Sequence, residues 1–222
     1  MADTIVKIIS IEPVTHNIKR FTVEKPKDYS FHPGQATEVS INTPELKEEK
    51  RPFTFTCLPE DDHLEFTIKI YTGHNGVTNA LGNLKTGNEL IVRDVWGAIE
   101  YKGAGVFLAG GAGVTPFIAI FRHLYNTGKV NGNKLIFSNK TSKDIILKDE
   151  FEKILGENFL TILTEENDKN FEHGRINEEY IKKNISNFQQ HFYICGPDAF
   201  VKDISETLAK LGAATESVVF EK

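Results

Sequence analysis

A glycine-rich turn that separates an apolar run from a helical pattern constrains this chain more than any other stretch. Residues 106–109 are apolar and lie between glycines, as the central strand of a parallel sheet does. Glycines follow at positions 110, 111 and 113, where they permit positive φ and the close approach of a ligand. We predict that Thr115 caps the next helix and that Pro116 is its first residue. A helix N-terminus beside such a turn suits a pyrophosphate, although a turn that only packs the helix on the strand would show the same pattern.

Length and composition indicate a globular chain of two domains. Of its 222 residues, 40% are hydrophobic and 26% are charged, which is enough to bury two cores. The net charge of −5 argues against nucleic acid as a partner. The sequence has no run approaching the roughly 20 apolar residues that span a bilayer, and no apolar leader after a basic start. We therefore expect a cytoplasmic monomer that binds neither nucleic acid nor a membrane.

The cysteine content limits the redox chemistry that the chain can perform alone. Cys57 and Cys195 are its only cysteines, and they lie in different halves. The sequence contains no C-x-x-C cluster for zinc or an iron–sulfur centre, so we expect no metal site. Any redox centre would be a bound organic cofactor. A disulfide between the two cysteines is not expected in a reducing cytosol.

The first half of the chain has the pattern of an antiparallel β domain. Short apolar or alternating runs, separated by Pro and Gly, predict strands within residues 6–11, 18–23, 38–41, 53–56, 64–70 and 89–92. One helix is predicted near residues 76–81. Strands at such short intervals indicate a barrel or a sandwich.

After residue 105, predicted strands and helices alternate. The strands fall at residues 106–109, 134–138, 159–163 and 192–195, and the helices fall at residues 116–125, 148–155, 177–183 and 198–211. This order is typical of a parallel sheet with right-handed crossovers. We therefore predict an antiparallel β-barrel domain over residues 1–102 and an α/β domain over residues 103–222.

Ligands of an open parallel sheet bind beyond the carboxyl ends of its strands. Two such ends, besides the glycine turn, are Ser138-Asn139-Lys140 and Cys195-Gly196-Pro197-Asp198. The first could meet the ribose of an adenosine, and Lys140 favours the 2′-phosphate of NADP over NAD, although an exposed lysine is more often only solvated. Cys195 could touch a nicotinamide ring, although a single cysteine is more often part of a core.

Five motifs along the chain resemble the ferredoxin–NADP reductase superfamily, and the resemblance covers essentially the whole chain. In the second half, Gly110-Gly111-Ala112-Gly113-Val114-Thr115-Pro116 resembles the pyrophosphate turn for NAD(P)H, and Tyr193-Ile194-Cys195-Gly196-Pro197 resembles the nicotinamide-side motif. In the first half, Arg51-Pro52-Phe53-Thr54 resembles the flavin motif Arg-x-Tyr-Ser/Thr and follows the related sequence Phe31-His32-Pro33-Gly34-Gln35. Gly76-Val77-Thr78 resembles a second flavin-phosphate motif.

The resemblance implies FAD, rather than FMN, in the β domain and NADPH or NADH in the α/β domain. Hydride would pass from the nicotinamide to N5 of the flavin at the boundary between the domains. Thr54 and Cys195 would flank this transfer, with the Thr54 hydroxyl near N5. Neither residue would form a covalent bond to a cofactor.

Further site residues are also implied by the resemblance. The flavin phosphates would lie between the Arg51 guanidinium and the amides at the start of a short helix. The flavin site would consist of Arg51, Pro52, Phe53, Thr54, Lys69, Ile70, Tyr71, Gly76, Val77 and Thr78, although Tyr71 could equally be an ordinary strand residue. The pyridine-nucleotide site would consist of Gly111, Ala112, Gly113, Thr115, Pro116, Ser138, Asn139, Lys140, Cys195, Gly196, Pro197 and Asp198.

Two positions depart from the family pattern. Phe53 stands where a tyrosine is common, so stacking on the flavin can survive without a phenolic hydrogen bond, and we expect weaker flavin retention or compensation elsewhere in the site. Residues 218–222 predict a closing strand, and plant-type members end on an aromatic residue that covers the flavin. Phe220 could take that place, but it is not terminal, and a core phenylalanine fits the pattern equally well.

The implied function is a flavin-dependent NAD(P)H oxidoreductase that passes electrons to a separate carrier such as flavodoxin or ferredoxin. Three alternatives stay open. The chain could reduce free flavin as a substrate, it could be an electron-transfer subunit of a larger complex, or it could be a nicotinamide dehydrogenase without flavin. The last alternative leaves the Arg51-Pro52-Phe53-Thr54 motif unexplained.

Overall fold

The first half of the chain is a curled antiparallel sheet. The structure is a computed structural model, and it describes residues 3–73, 76–97, 99–214 and 218–220. The strands are β1 (Thr4–Pro13), β2 (Ile18–Glu24), β3 (Gln35–Ile41), β4 (Arg51–Thr54), β5 (His63–Lys69) and β6 (Glu89–Gly97). They pair in the order β4-β3-β6-β1-β2-β5. The sheet curls into a half-barrel, and this curl brings the edge strands β4 and β5 towards each other.

Alternation of side chains explains the core of this half-barrel. On β2, Phe21 and Val23 point inward, and on β6, Leu90 and Val92 do the same. A short helix, α1 (Val77–Gly82), adds Val77 and Leu81 to the same core. The helix begins where the sequence predicted it.

The second half is a six-stranded parallel sheet between two layers of helices. In chain order its elements are β7 (Gly105–Gly110), α2 (Thr115–Asn126), β8 (Lys134–Asn139), α3 (Lys148–Leu155), β9 (Phe159–Leu163), β10 (Glu172–His173), α4 (Glu178–Asn184), β11 (His191–Cys195), α5 (Asp198–Lys210) and β12 (Val218–Phe220). The strand order is β10-β9-β8-β7-β11-β12, with β7 near the centre. Helices α2 and α3 cover one face, and α4 and α5 cover the other.

The two-sided burial explains why these strands are apolar throughout. Alternate residues such as Phe107 and Tyr193 face α2, whereas Leu108 and Ile194 face α5. The predicted fold class, a β-barrel domain followed by an α/β domain, is confirmed. Strand β10 was not predicted, because a two-residue edge strand carries no hydrophobic pattern. No helix within the described residues is both long and apolar enough to span a membrane.

The prediction that Thr115 caps α2 was wrong by one residue. A 3₁₀ turn over Gly111–Val114 starts the helix earlier, so Thr115 is the first residue of α2 and Pro116 is the second. The Thr115 hydroxyl donates to the Ala112 carbonyl at 3.0 Å. This turn holds the glycines in a compact coil at the end of β7.

A tyrosine fastens the connection between the two halves. The Tyr193 hydroxyl accepts hydrogen bonds from the backbone amides of Lys102 (2.9 Å) and Gly103 (3.0 Å), and it donates to the Gly103 carbonyl at 2.8 Å. The Tyr193 ring is fully buried and stacks on Phe107 with ring centroids 4.2 Å apart. The linker is therefore attached to the centre of the parallel sheet.

Candidate functional site

A cleft of about 570 Å³ lies between the carboxyl ends of the parallel strands and the barrel, and we call it the interdomain cleft. On its α/β side, the predicted residues that line it are Gly111, Ala112, Gly113, Thr115, Ser138, Asn139, Lys140, Cys195, Gly196 and Pro197. Its barrel side includes Asn17, Ile18, Lys69 and Tyr71. The fold thus brings three separate strand ends together opposite two residues of the predicted flavin site.

Glycine is required at positions 111 and 113 of the turn for different structural reasons. Gly111 has a φ of +53°, and no described atom lies within 4 Å of where its Cβ would stand, so its backbone is open to a ligand. At Gly113, a Cβ would lie 2.4 Å from the Cys195 carbonyl oxygen and 2.5 Å from the Gly196 nitrogen. The idea that all three glycines serve positive φ and ligand approach is therefore corrected. Gly113 lets the two strand-end turns pack backbone against backbone.

Asn139 provides an unpaired polar group in the cleft. Its residue is only 4% exposed, and neither its side-chain oxygen nor its side-chain nitrogen has a hydrogen-bond partner among the described residues. Buried amides are rarely left without partners because desolvation costs about 1–3 kcal/mol. An amide in this position fits a ligand with hydroxyl or phosphate oxygens, such as a nucleotide ribose.

Lys140 does not present a free cation to a 2′-phosphate. Its ammonium forms an ion pair with Glu165 at 2.8 Å, and this hydrogen bond raises the pKa of Lys140. A second carboxylate lies close by, since Glu166 accepts hydrogen bonds from the amide (2.5 Å) and hydroxyl (3.1 Å) of Ser142. The sequence argument for NADP from Lys140 therefore loses its support, because Glu165, just after β9, already pairs with the Lys140 ammonium.

Thr54 and Thr115 meet across the domain boundary. The Thr54 hydroxyl, which is almost completely buried, donates to the Thr115 hydroxyl at 3.2 Å. Thr54 ends strand β4, and Thr115 begins α2 at the glycine turn. Cys195, 4% exposed, lies at the end of the neighbouring strand β11 and also lines the interdomain cleft. The two predicted catalytic residues thus belong to the same boundary region, one on each side.

The remaining residues of the predicted flavin site range from exposed to buried, and Val77 lies in the barrel core. The Arg51 side chain is 47% exposed, and its Nη1 donates to the Lys50 carbonyl at 2.6 Å. Phe53 is half-buried against the barrel core, and Tyr71 is 49% exposed with the Lys69 ammonium 5.3 Å from its ring centroid. Some of the predicted site residues do not line the interdomain cleft. These are Arg51, Pro52, Phe53, Thr54, Ile70, Gly76, Val77, Thr78, Pro116 and Asp198. The Phe220 side chain falls outside the described part of the chain, although its backbone pairs with Ile194.

Sequence reasoning missed two features of this region. Asn17 precedes β2 and Ile18 is its first residue, and their local sequence pattern does not indicate that they face the second domain. Arg122 is the only charged residue of α2, which is otherwise largely apolar. This contrast could have indicated that Arg122 has a specific partner. Burial opposes its charge, but the carboxylates of Glu150 and Glu65 raise the pKa of the guanidinium above its ordinary value.

These observations define a class of protein, a two-domain oxidoreductase with one half for each of two nucleotide cofactors. Comparison with family models agrees. Residues 5–101 match the oxidoreductase FAD-binding domain, and residues 107–206 match the oxidoreductase NAD-binding domain. The chain belongs to the ferredoxin–NADP reductase superfamily, as the sequence motifs indicated.

Individual relatives are distant but match nearly the whole chain. The reductase component of propane 2-monooxygenase from Rhodococcus jostii is 26% identical, and the match covers 99% of this chain and 63% of the relative. NADH-cytochrome b5 reductase 2 of Mycosarcoma maydis is also 26% identical, with 93% and 65% covered. The chain therefore spans about three fifths of the length of the first of these curated relatives.

A solved structure shows the same fold over both halves. The crystal structure of a ferredoxin NADP+ reductase from Neisseria gonorrhoeae with bound FAD and NADP superposes with a TM-score of 0.87 at 19% identity. The match covers 100% of this chain and 98% of that chain. The two-domain arrangement is therefore that of a known fold.

Proposed function

We propose that this chain is an FAD-dependent reductase that takes electrons from NADH or NADPH and passes them to a separate electron carrier. The observation that carries the proposal is the interdomain cleft, where the strand ends of the NAD-binding half face Lys69 and Tyr71 of the FAD-binding half. The unpaired Asn139 amide and the open backbone at Gly111 support a nucleotide in this cleft.

The cofactors would supply the redox chemistry, since bound FAD accepts a hydride at N5 and releases electrons singly. The chain would supply position. Arg51 would hold the flavin phosphates, with the amides of Gly76, Val77 and Thr78 as a second anion site, and Pro52, Phe53 and Ile70 would complete the flavin surface. The pair of Thr54 and Thr115 would orient the two reacting rings, and Cys195 would close the nicotinamide side against water.

The carrier is proposed to be a flavodoxin or ferredoxin. Several relatives are named as reductase components of oxygenase systems, which supports a separate acceptor. We propose that electrons leave the flavin directly for the carrier.

A free-flavin reductase is the second candidate. Phe53 favours it, because its ring lies half-buried at the flavin motif without the hydroxyl of the common tyrosine. The two functions differ in how firmly flavin is held. A protein that loses all flavin on gel filtration, yet reduces added FAD with ordinary saturation kinetics, is a free-flavin reductase.

The first experiment is an absorbance spectrum of the purified protein, followed by anaerobic addition of NADH and of NADPH in separate samples. We expect flavin bands that bleach on addition of the nucleotide. A protein that contains no flavin, and binds neither FAD nor FMN when they are added, contradicts the proposal. Catalytic reduction of a flavodoxin or a ferredoxin by the bleached protein then tests the carrier.

The donor preference gives a further prediction. Glu165→Gln releases Lys140 from its ion pair, so we expect the ratio of kcat/KM for NADPH to that for NADH to rise by about two- to fivefold. The measurement is steady-state kinetics with both donors at fixed ionic strength. Glu179→Gln, on the exposed side of α4, is the matched control. An unchanged ratio in Glu165→Gln rules out a role for this carboxylate in donor choice.

A further inference from the structure

A single arginine of the α/β domain reaches into the barrel. Arg122 lies on α2, and its Nη1 donates to the Thr56 carbonyl at 2.6 Å and to Glu65 Oε1 at 2.7 Å, both in the other domain. Within the α/β domain, Arg122 Nε and Nη2 form a bidentate ion pair with Glu150, at 2.5 and 2.9 Å. The guanidinium is therefore fixed by one carboxylate of each domain, and its pair with Glu150 is bidentate.

The barrel end of this contact is rigid because Glu65 is buried and held from several sides. Glu65 is 8% exposed, and its Oε1 also accepts the Thr56 hydroxyl at 2.8 Å. The Thr56 and Thr67 hydroxyls lie 3.2 Å apart behind it. From within the barrel, Arg20 approaches the other carboxylate oxygen at 3.8 Å. Ion pairs in such a low-dielectric setting are little screened by salt.

The functional role of the Arg122 contact follows from its position relative to the proposed reaction centre. Thr115 and Arg122 lie seven residues apart on α2, which is two turns along the same face of the helix. Thr54 and Thr56 lie two residues apart on the barrel segment that faces them. Helix and segment are thus joined twice, by the pair Thr54 and Thr115 at one point and by Arg122 at the other. Two fixed points prevent rotation about either one.

We propose that Arg122, Glu65 and Glu150 form an interdomain clamp that sets the alignment of the nicotinamide on the flavin. Arg122 is a positioning residue, since it acts through Thr54 and Thr115 and does not line the interdomain cleft. The proposal rests on the proposed function for its catalytic consequence. Its structural content, a fixed domain orientation, stands on the contacts alone.

The first test is anaerobic stopped-flow reduction of the FAD-loaded enzyme by NADH, measured over a range of NADH concentrations. Two variants are compared with the wild type. Arg122→Lys keeps the charge without the planar fork, and Arg122→Met combined with Glu65→Gln removes the interdomain ion pair without leaving the buried Glu65 carboxylate unpaired. We expect the limiting rate of flavin reduction to fall about 10- to 100-fold in both variants. The long-wavelength charge-transfer absorbance of the stacked rings should weaken, while the dissociation constant for FAD changes less than threefold.

The control variant is Arg20→Lys, which alters the other arginine that faces Glu65 but stays within the barrel. We expect it to reduce flavin at the wild-type rate. Wild-type rates and unchanged charge-transfer absorbance in both Arg122 variants overturn the proposal. Equal losses in Arg20→Lys and Arg122→Lys also overturn it, because they would show that only the stability of the barrel matters.

A distance measurement separates this proposal from the proposed function. Spin labels at Glu60→Cys and Lys202→Cys, both exposed and in different domains, report the domain orientation without any reaction, and the native Cys57 and Cys195 are buried. We expect a narrow distance distribution in the otherwise wild-type protein and a broad one with either Arg122 variant. An unchanged distribution overturns the clamp. A wild-type protein that neither nucleotide reduces overturns the proposed function, and the distance distribution then still decides whether Arg122 fixes the domains.

Discussion

Gly113→Ala is expected to weaken pyridine-nucleotide binding by about 100-fold or more and to lower the free energy of unfolding by about 1–3 kcal/mol. The added Cβ would lie 2.4 Å from the Cys195 carbonyl oxygen and 2.5 Å from both the Cys195 carbonyl carbon and the Gly196 nitrogen. These are backbone atoms, so no side-chain rotation can relieve the overlap. The two strand-end turns must separate, and the lining of the interdomain cleft separates with them.

Calorimetric titration with NAD⁺ and thermal unfolding provide the two measurements for this variant. Gly73→Ala is the control, because no described atom lies within 4 Å of its Cβ position and its φ is not in the left-handed region. We expect Gly73→Ala to bind the nucleotide as the wild type does. Normal nucleotide affinity in Gly113→Ala would show that the turns can spread without affecting the site, and the assignment of the cleft would then be wrong.

Thr54→Val is expected to slow flavin reduction at saturating NADH by about 100-fold, the usual effect of displacing two reacting groups by about 1 Å. Valine keeps the branched shape and removes the hydroxyl that donates to Thr115. The dissociation constant for FAD should change less than threefold, because the phosphate groups would be held elsewhere on the barrel. Anaerobic stopped-flow absorbance measures the rate, and fluorescence titration measures FAD binding.

Two further variants decide how Thr54 acts. Thr161→Val, a half-buried threonine on β9 outside the cleft, is the control and should reduce flavin normally. In a double-mutant cycle, Thr54→Val and Thr115→Val should be strongly non-additive if the hydroxyls act as a pair. Strict additivity would show that each threonine acts alone. A Thr54→Val rate within twofold of the wild type would show that Thr54 has no catalytic role.

The sequence was sufficient for the fold where one physical rule dominated. Continuous apolar runs such as residues 106–109 indicated strands buried on both faces, and β7 is such a strand. The alternation of strands and helices after residue 105 predicted the parallel sheet correctly. Local patterns also gave the start of α1, because Gly76 precedes an apolar helical turn. The cap of α2 was misplaced because a 3₁₀ turn can extend a helix without any change in hydrophobic pattern.

The lining of the interdomain cleft was predictable at strand ends but not across the domain boundary. Ser138, Asn139 and Cys195 follow directly from the rule that ligands bind at the carboxyl ends of parallel strands. The pairing of Lys140 with Glu165 was not predictable, because it joins the ends of two strands whose relative register is set by the folded sheet. Asn17 and Arg122 depend on the docking of one domain on the other. No local pattern contains that information.

The buried Tyr193 hydroxyl limits how the barrel of this chain can be exchanged for that of a relative. It holds the chain at Lys102 and Gly103 with three hydrogen bonds, so the join between the halves is built into the middle of the sheet. A chimera that joins the barrel of a relative to the nucleotide half of this chain must keep Tyr193 together with the backbone path at Lys102 and Gly103. Otherwise the hydroxyl is left buried without partners. The crossover point for such chimeras should therefore lie before Tyr101, not at the apparent boundary.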